Sequence, residues 1–301
     1  MDNLNEVTFV IPTFNRNDYL TKILNTLPGN ANVIVSDNGG TVTQEITNSY
    51  KNFLFIKPSQ KLEMYENWNF CISHVKTKWF LIPSDDDLYY SEQLYHLGEA
   101  LYEYHDCGII IFGHNVIDEN DNVLSEWKPK KLIQFKAPFG YEIFKYGVDA
   151  RLPSIVFNTE IAKDNSLFKE NYTYTAADSL LVQKCLLTTN SVFIPHIIAA
   201  YRVWPSNFTS KLISTVGWLE RVDQWQDEIV EIVRSNYKDS TFKFNASKIK
   251  DEVYARNLIG GLKNLNQQSL SNRYSFFKSV RFPFKASHIT KLKVIKSLII
   301  A

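Results

Sequence analysis

The stretch Trp79–Asp87, WFLIPSDDD, sets four apolar residues before a proline, a serine and three adjacent aspartates. An apolar run of that length closed by Pro83 reads as a strand buried on both faces that stops at a loop. Three like charges at the end of such a strand repel one another where little water screens them, so the loop favours a positive partner. Mg2+ or Mn2+ fits, because each takes hard oxygen ligands, needs only one or two protein carboxylates and completes its shell with phosphate oxygens and water. The plain reading of the same residues is a loop or cap cluster ahead of the helix expected over Gln93–Tyr104, since Asp is common in both settings.

Outward from this stretch the pattern repeats. Val7–Pro12 (VTFVIP) and Val33–Val35 (VIV) are apolar runs, followed respectively by Thr13–Arg16 and by Ser36–Gly40 (SDNGG), and Phe53–Ile56 is a further candidate strand. Between them, Tyr19, Leu20, Ile23, Leu24 and Leu27 keep one helical face up to Pro28-Gly29, and a second helix is expected over Tyr65–Val75. Apolar strands alternating with helices predict an α/β fold with a mainly parallel sheet flanked by helices, whose polar loops gather along the carboxyl edge where such sheets bind ligands. Further on, strands are expected at Gly108–Phe112, Val192–Ile194 and Ile197–Arg202, with a turn at Asp118–Asn122. From Val216 the spacing of Trp218, Leu219, Val222, Trp225, Ile229 and Val233 predicts helix.

Composition limits the classes of function. With 301 residues and 45% apolar content the chain can bury one large core or two modest ones, which excludes disorder. Cys71, Cys107 and Cys185 match neither a disulfide framework nor a zinc site, which suits a reducing cytoplasm. The start of the chain does not read as a signal peptide, and no run approaches a membrane span. Nine of the 33 basic residues and none of the 32 acidic ones follow Glu252, so the first 252 residues sum to −8 and the last 49 to +9. A basic segment containing Phe276, Phe277, Phe282, Phe284 and Ile289 suits an anionic membrane surface; it would also attract nucleic acid, which is not expected as a partner. A solvated helical face that offsets the acidic body explains it equally well.

Val7–Tyr19 (VTFVIPTFNRNDY), Val33–Gly39 (VIVSDNG) and Trp79–Leu94 (WFLIPSDDDLYYSEQL) resemble, in order, the motifs of family 2 glycosyltransferases with the GT-A fold, strongly over residues 7–94 and moderately to about 205. The resemblance implies an inverting, metal-dependent transfer of a sugar from a nucleotide diphosphate, a UDP-sugar by default, to a glycan or polyprenyl-diphosphate-linked oligosaccharide in bacterial surface polysaccharide (O-antigen or capsule) synthesis. It divides the GT-A part into a nucleotide-sugar-binding half (1–95) and an acceptor-binding half (96–211), ahead of a helical, basic C-terminal region (212–301) that the resemblance does not reach; the cysteines suggest a cytoplasmic chain, and the charge asymmetry suggests one peripheral on the inner face of the membrane. Pro12, Thr13, Asn15 and Arg16 match the loop against base and ribose. Asp37, with Asn38 beside it, matches the residue that bonds the base, and Asn67 a polar position on the helix before the metal motif. Asp85 is assigned toward the ribose, and Asp86 and Asp87 toward Mn2+ or Mg2+.

Two departures stand out. The general base that inversion requires falls to Asp178, with Ala177 where the family often has a second acid; as a capping box, Thr175-x-x-Asp178 would instead only satisfy a backbone N–H. Trp204 stands where many members carry a His, and Trp cannot ligate a metal; Arg202 nearby is assigned to a diphosphate oxygen. His114 and His196 read as structural. Competing readings are a sugar nucleotidyltransferase, which lacks support from a Gly-rich phosphate loop, and a non-catalytic glycan-binding or scaffold protein derived from this fold.

Overall fold

The computed structural model describes residues 2–168, 176–204, 211–238, 241–265 and 270–299. The chain falls into two units, one of Met1–Glu142, Val148–Thr173 and Cys185–Trp204, the other of Ile143–Gly147, Tyr174–Lys184 and Pro205–Ala301.

At the centre of the first unit lies β1 (Val7–Thr13), buried at every position. It runs parallel to β2 (Asn32–Asp37) on one side and β4 (Trp79–Leu81) on the other, with β3 (Leu54–Ile56) parallel beyond β2. Burial on both faces is why VTFVIPT is apolar throughout rather than alternating. Phe9 and Ile11 share a core with Leu20, Ile23 and Leu24 of α1 (Asn17–Thr26). After the short α2 (Gln44–Ser49) and β3, α3 (Met64–Ser73) packs over β1 and β2 with Cys71 and Ile72 buried. Leu94, Leu97 and Leu101 of α4 (Leu94–Glu103) join the core of α1.

Beyond β4 the sheet departs from the parallel expectation. β9 (Ile155–Asn158) lies antiparallel between β4 and β6 (Ile109–Ile117), β10 (Ser191–Arg202) runs parallel to β6, and β5 (Leu88–Tyr89) runs antiparallel to β10. The order is β3-β2-β1-β4-β9-β6-β10-β5, with β7 (Val123–Trp127) paired to β6 and β8 (Ile133–Phe135) to β10. The two runs around Pro195 are one strand, β10, whose register against β6 shifts between Phe193 and Ile197, where the proline has no N–H to give the ladder.

One detail of register positions the site. The β1–β2 ladder continues to Thr13↔Asp37, whereas β1–β4 pairing ends at Phe9↔Leu81. Pro12 therefore lies past the last rung to β4, where its missing N–H costs nothing on that side. β4 ends at Leu81, four residues short of the end of β1, and the loops after the parallel strands β1, β2 and β4 emerge along the same edge.

The remaining helices are α5 (Tyr141–Phe144), α6 (Thr159–Asp164), α7 (Ala177–Thr188), α8 (Val216–Tyr237), α9 (Ala246–Asn264), α10 (Leu270–Lys278) and α11 (His288–Ile299). In the second unit α8 begins at Val216, capped by Thr215, whose side chain accepts from Trp218 N. Leu219, Val222, Trp225 and Ile229 of α8 are buried, as are Val253, Leu258 and Leu262 of α9. Trp218 Nε1 donates to Asn257 (3.0 Å), and Trp225 Nε1 to Gln183 (2.9 Å), whose amide in turn donates to Phe144 O. Among the described residues no helix is long and apolar enough to cross a membrane.

Candidate active site

The three aspartates after β4 are buried, at 4%, 6% and 1% exposure for Asp85, Asp86 and Asp87. Each is held differently, although they are adjacent in sequence. Asp85 is held by the loop after β1: Thr13 Oγ1 donates to its Oδ2 at 2.7 Å, Phe14 N to the same oxygen at 3.4 Å, and Arg16 Nη1 to Oδ1 at 3.2 Å. Arg16 also donates to Asp86 Oδ2 at 2.7 Å, so one guanidinium spans two carboxylates. Asp87 turns back on its own loop, accepting from Ser84 N (2.8 Å) and Arg202 N (3.0 Å).

These environments leave the negative charge poorly compensated. Burial pushes the Asp85 carboxyl up to about 6, with Arg16 pulling against that rise and Asp86 adding to it. Burial, then repulsion from Asp86, holds Asp87 well above the usual carboxylate range. Burial also works against the charge on Arg16, but Asp85 and Asp86 together keep its guanidinium above its ordinary value. Arg16, half-exposed (45% side-chain exposure), pairs with Asp85 and Asp86 but not with Asp87, which leaves net negative charge for a further cation to neutralise.

The loop after β2 completes the edge. Asp37 accepts from Thr41 N (3.1 Å) and Val42 N (3.0 Å), and Asn38 exchanges two hydrogen bonds with the backbone of Leu62. Gly39 is required by contact: a Cβ there would sit 2.0 Å from Asn15 Oδ1 and 3.1 Å from Asn15 N. Asn15 itself has φ 58°, a conformation Asn tolerates better than most residues, and accepts from Thr41 Oγ1. An open depression beside this loop is lined by Asn15, Arg16, Asn17, Asp18, Tyr19 and Thr41.

With this fold and edge in place, comparison with known proteins identifies a domain: the Glycosyl transferase family 2 model matches residues 8–151, which contain all three loops. Residues 8–151, just under half of the chain, carry a glycosyl transferase family 2 domain. An uncharacterized glycosyltransferase of Rickettsia typhi is 23% identical to it over 254 residues, 79% of this chain and 77% of that protein. The Staphylococcus aureus poly(ribitol-phosphate) beta-N-acetylglucosaminyltransferase TarS is 23% identical over 197 residues, 62% of this chain but only 33% of TarS. In structure, TarS residues 1–349 in complex with UDP-GlcNAc match 97% of this chain, and 89% of theirs, with a TM-score of 0.63 at 15% identity. A mannosyltransferase from Pyrobaculum calidifontis in complex with GDP-Man and Mn2+ matches 98% of this chain and 86% of its own at a TM-score of 0.51 and 12% identity. These likenesses establish the GT-A fold for the glycosyltransferase.

Within that fold the glycosyltransferase brings Thr13, Arg16, Asp85 and Asp86 into direct contact, and Asn15 against the loop of Asp37. Asn67 lies apart from them, 4% exposed, its Oδ1 accepting from Ser36 Oγ at 2.6 Å, so it ties α3 to β2. Arg202, assigned above to a diphosphate oxygen, lies under the aspartate loop. Its side chain is fully buried, Nε donates to Asp86 O at 2.8 Å, and its other nitrogens donate to Asp118 O and Asp121 Oδ1, with the guanidinium over the Tyr19 ring. It fastens the aspartate loop to the Asp118–Asn122 turn. Trp204 holds a contact that its residue type alone does not disclose: Nε1 donates to Asp86 Oδ2 at 2.6 Å, and its ring meets Tyr19 edge-on.

His114 is 1% exposed, and burial with Arg151 nearby pushes it down to about 4. His196 stacks on His96 with ring centroids 3.6 Å apart. Asp178 belongs to the second unit, in the first turn of α7, where its Oδ1 accepts from Ser179 N at 2.7 Å. Thr175, its partner in the capping reading, lies outside the described residues.

Proposed function

We propose that this glycosyltransferase moves a sugar, with inversion, from a UDP-linked donor to a glycan or lipid-linked glycan of a bacterial surface polymer, and that its basic C-terminal region contacts an anionic membrane. The observation that carries the donor reading is the buried aspartate loop at the carboxyl end of β4, clasped by Thr13 and Arg16 from the end of β1. In this reading Pro12, Thr13, Asn15, Arg16, Asp37, Asn38 and Asp85 form the nucleoside side of the site. The residues present fit a hard divalent cation at Asp86, because no described residue donates to its Oδ1 and it stands between two further carboxylates. Asp87, with both oxygens on backbone N–H groups, shapes the loop rather than binding the ion. Among the described residues no three His, Cys, Asp or Glu side chains are grouped to hold an ion by themselves, so the rest of its shell falls to phosphate and water. When bound, the ion offsets the charge that grows on the departing nucleoside diphosphate. Asp178 takes the proton of the acceptor hydroxyl.

The complexes of TarS with UDP-GlcNAc and with UDP support the choice of UDP, and the name of TarS supports an N-acetylhexosamine and a surface-polymer acceptor. The Mn2+ complex of the mannosyltransferase supports the ion. A second reading, donor binding without metal, is favoured by Arg16 and Trp204, which already donate to Asp86 Oδ2. Calorimetric titration of UDP, dTDP and GDP into wild type and Asp86→Ala, with Mn2+ and with EDTA, tests both. UDP binding that needs Mn2+ and is lost in Asp86→Ala is expected. UDP binding that is indifferent to EDTA selects the metal-free reading, and no binding of any nucleotide removes the transferase proposal in favour of a non-catalytic descendant of the fold.

A further inference from the structure

The last two acidic side chains of the sequence, Asp251 and Glu252 on α9, both orient the segment from Arg281 to Thr290. Asp251 accepts from Arg281 Nη1 and Lys285 N, each at 2.6 Å; Glu252 accepts from Ser287 N at 2.6 Å and Thr290 Oγ1 at 2.7 Å. Ser287 in turn caps α11 through Thr290 N. The start of α11 is thus tied down at four points, and Val294 and Ser297, at 0% and 8% exposure, fix its inner side.

The orientation leaves an apolar face outward. Ile289, Leu292 and Ile299 are 68%, 66% and 65% exposed, with Ile295 at 42%. At 100° per residue these four fall within an arc of about 120° opposite Val294. The sequence alone does not separate them, since apolar residues occupy both sides of the helix. Phe284, 74% exposed, precedes the helix. Lys296 lies within the arc and Lys293 about 40° beyond its edge, with Lys285 beside Phe284; among the described residues no carboxylate pairs with any of the three. Arg281, by contrast, is neutralised by Asp223 and Asp251.

We propose that this face of α11 with Phe284 is a docking surface for an anionic lipid bilayer, α11 lying in the plane of the headgroups. The proposal rests on the membrane contact given above and names the residues that make it. Charge selects the occupant: a second copy would set the same lysines against each other, with no acid after Glu252 to separate them, whereas anionic headgroups complement them while the acyl boundary receives the apolar side chains.

The test is flotation of the full chain with vesicles of phosphatidylcholine alone or mixed equally with phosphatidylglycerol. Wild type is expected to float with the anionic vesicles only, and less at high salt. The triple variant Lys285→Gln, Lys293→Gln, Lys296→Gln is expected to bind about a hundredfold more weakly, about fivefold per lysine. Leu292→Gln with Ile299→Gln, both exposed so that folding survives as checked by circular dichroism, is expected to lose at least about tenfold with all charges intact. No preference for anionic vesicles, or variants that float like wild type, overturns the proposal. So does a dimer in solution that the Leu292 and Ile299 substitutions dissolve without any vesicle binding, which assigns the face to a second copy. UDP titration of the same variants is expected to be unchanged. A chain that floats but binds no UDP breaks only the donor reading, and one that binds UDP but does not float breaks only this one.

Discussion

Asp85–Asp87 and Asp251–Glu252 are both runs of adjacent carboxylates, and both are nearly buried, yet their surroundings have opposite effects. In the second run all four oxygens receive a charged, backbone or hydroxyl donor, and although burial would raise Glu252, hydrogen bonds from Thr290 and Ser287 hold it below the usual range. In the first run one half-exposed arginine serves two acids, Asp86 Oδ1 has no donor among the described residues, and Asp85 and Asp87 are pushed upward. The contrast separates an anchor from a site. Carboxylates that have been given their partners fasten structure, whereas carboxylates packed together without enough of them favour a cation from outside.

The comparison can be broken or sharpened by experiment. The largest effect belongs to the carboxylate outside both runs. If Asp178 is the base, Asp178→Ala lowers turnover by roughly 10²–10⁴-fold and leaves the unfolding free energy nearly unchanged. A loss of about 1 kcal/mol in stability with near-normal turnover would instead make it a cap.

Next come the opposite pH responses of the two runs, read in EDTA. Asp85 has a folded value near 6 against an ordinary 3.8, so the folded state binds the proton more tightly and stability falls by up to about 3 kcal/mol as pH rises through that window. Asp85→Asn should flatten the dependence. Glu252 is depressed in the folded state, so its contribution is complete above its ordinary 4.5 and is lost as pH falls through the lower folded value. Melting wild type, Asp85→Asn and Glu252→Gln from acid to neutral pH would show whether the two slopes differ in sign.

A smaller effect is expected at fixed neutral pH. Glu252→Gln should cost about 1.5–3 kcal/mol by weakening two charge-assisted bonds, with UDP affinity retained. Asp86→Asn should cost little or stabilise, because it removes one of three crowded charges. Equal losses from both would erase the distinction. The smallest effect is expected from Trp204→Phe, which removes one donor from Asp86 Oδ2 for about 1 kcal/mol. Mn2+ titration followed by paramagnetic resonance should then show tighter binding, since the carboxylate is freed.

β1, β2 and β4 were legible because burial on both faces forces an uninterrupted apolar run, and such runs as Val7–Ile11 and Trp79–Ile82 are visible without coordinates. β9 was not, because Ile155–Asn158 is short, comes after irregular chain, and is placed antiparallel by partners far away in sequence. At the site, the motif positions of Thr13, Asp85 and Asp86 were legible as residue types in order. The burial of Arg202 was not, since an arginine at the end of a strand looks the same whether it faces solvent or Asp121.

What the sequence by itself determined is the alternation of apolar strands and helices, the polar loops at one sheet edge, the motif order that marks family 2, and the segregation of charge after Glu252. Only the tertiary structure decided which carboxylates are anchors and which are crowded, that Trp204 donates to Asp86, and which side of α11 faces out. The physical reason is that periodicity and composition are properties of neighbours along the chain, whereas charge compensation and exposure depend on groups brought together from distant positions: Arg16 to Asp86, Arg202 to Asp121, and Thr290 to Glu252.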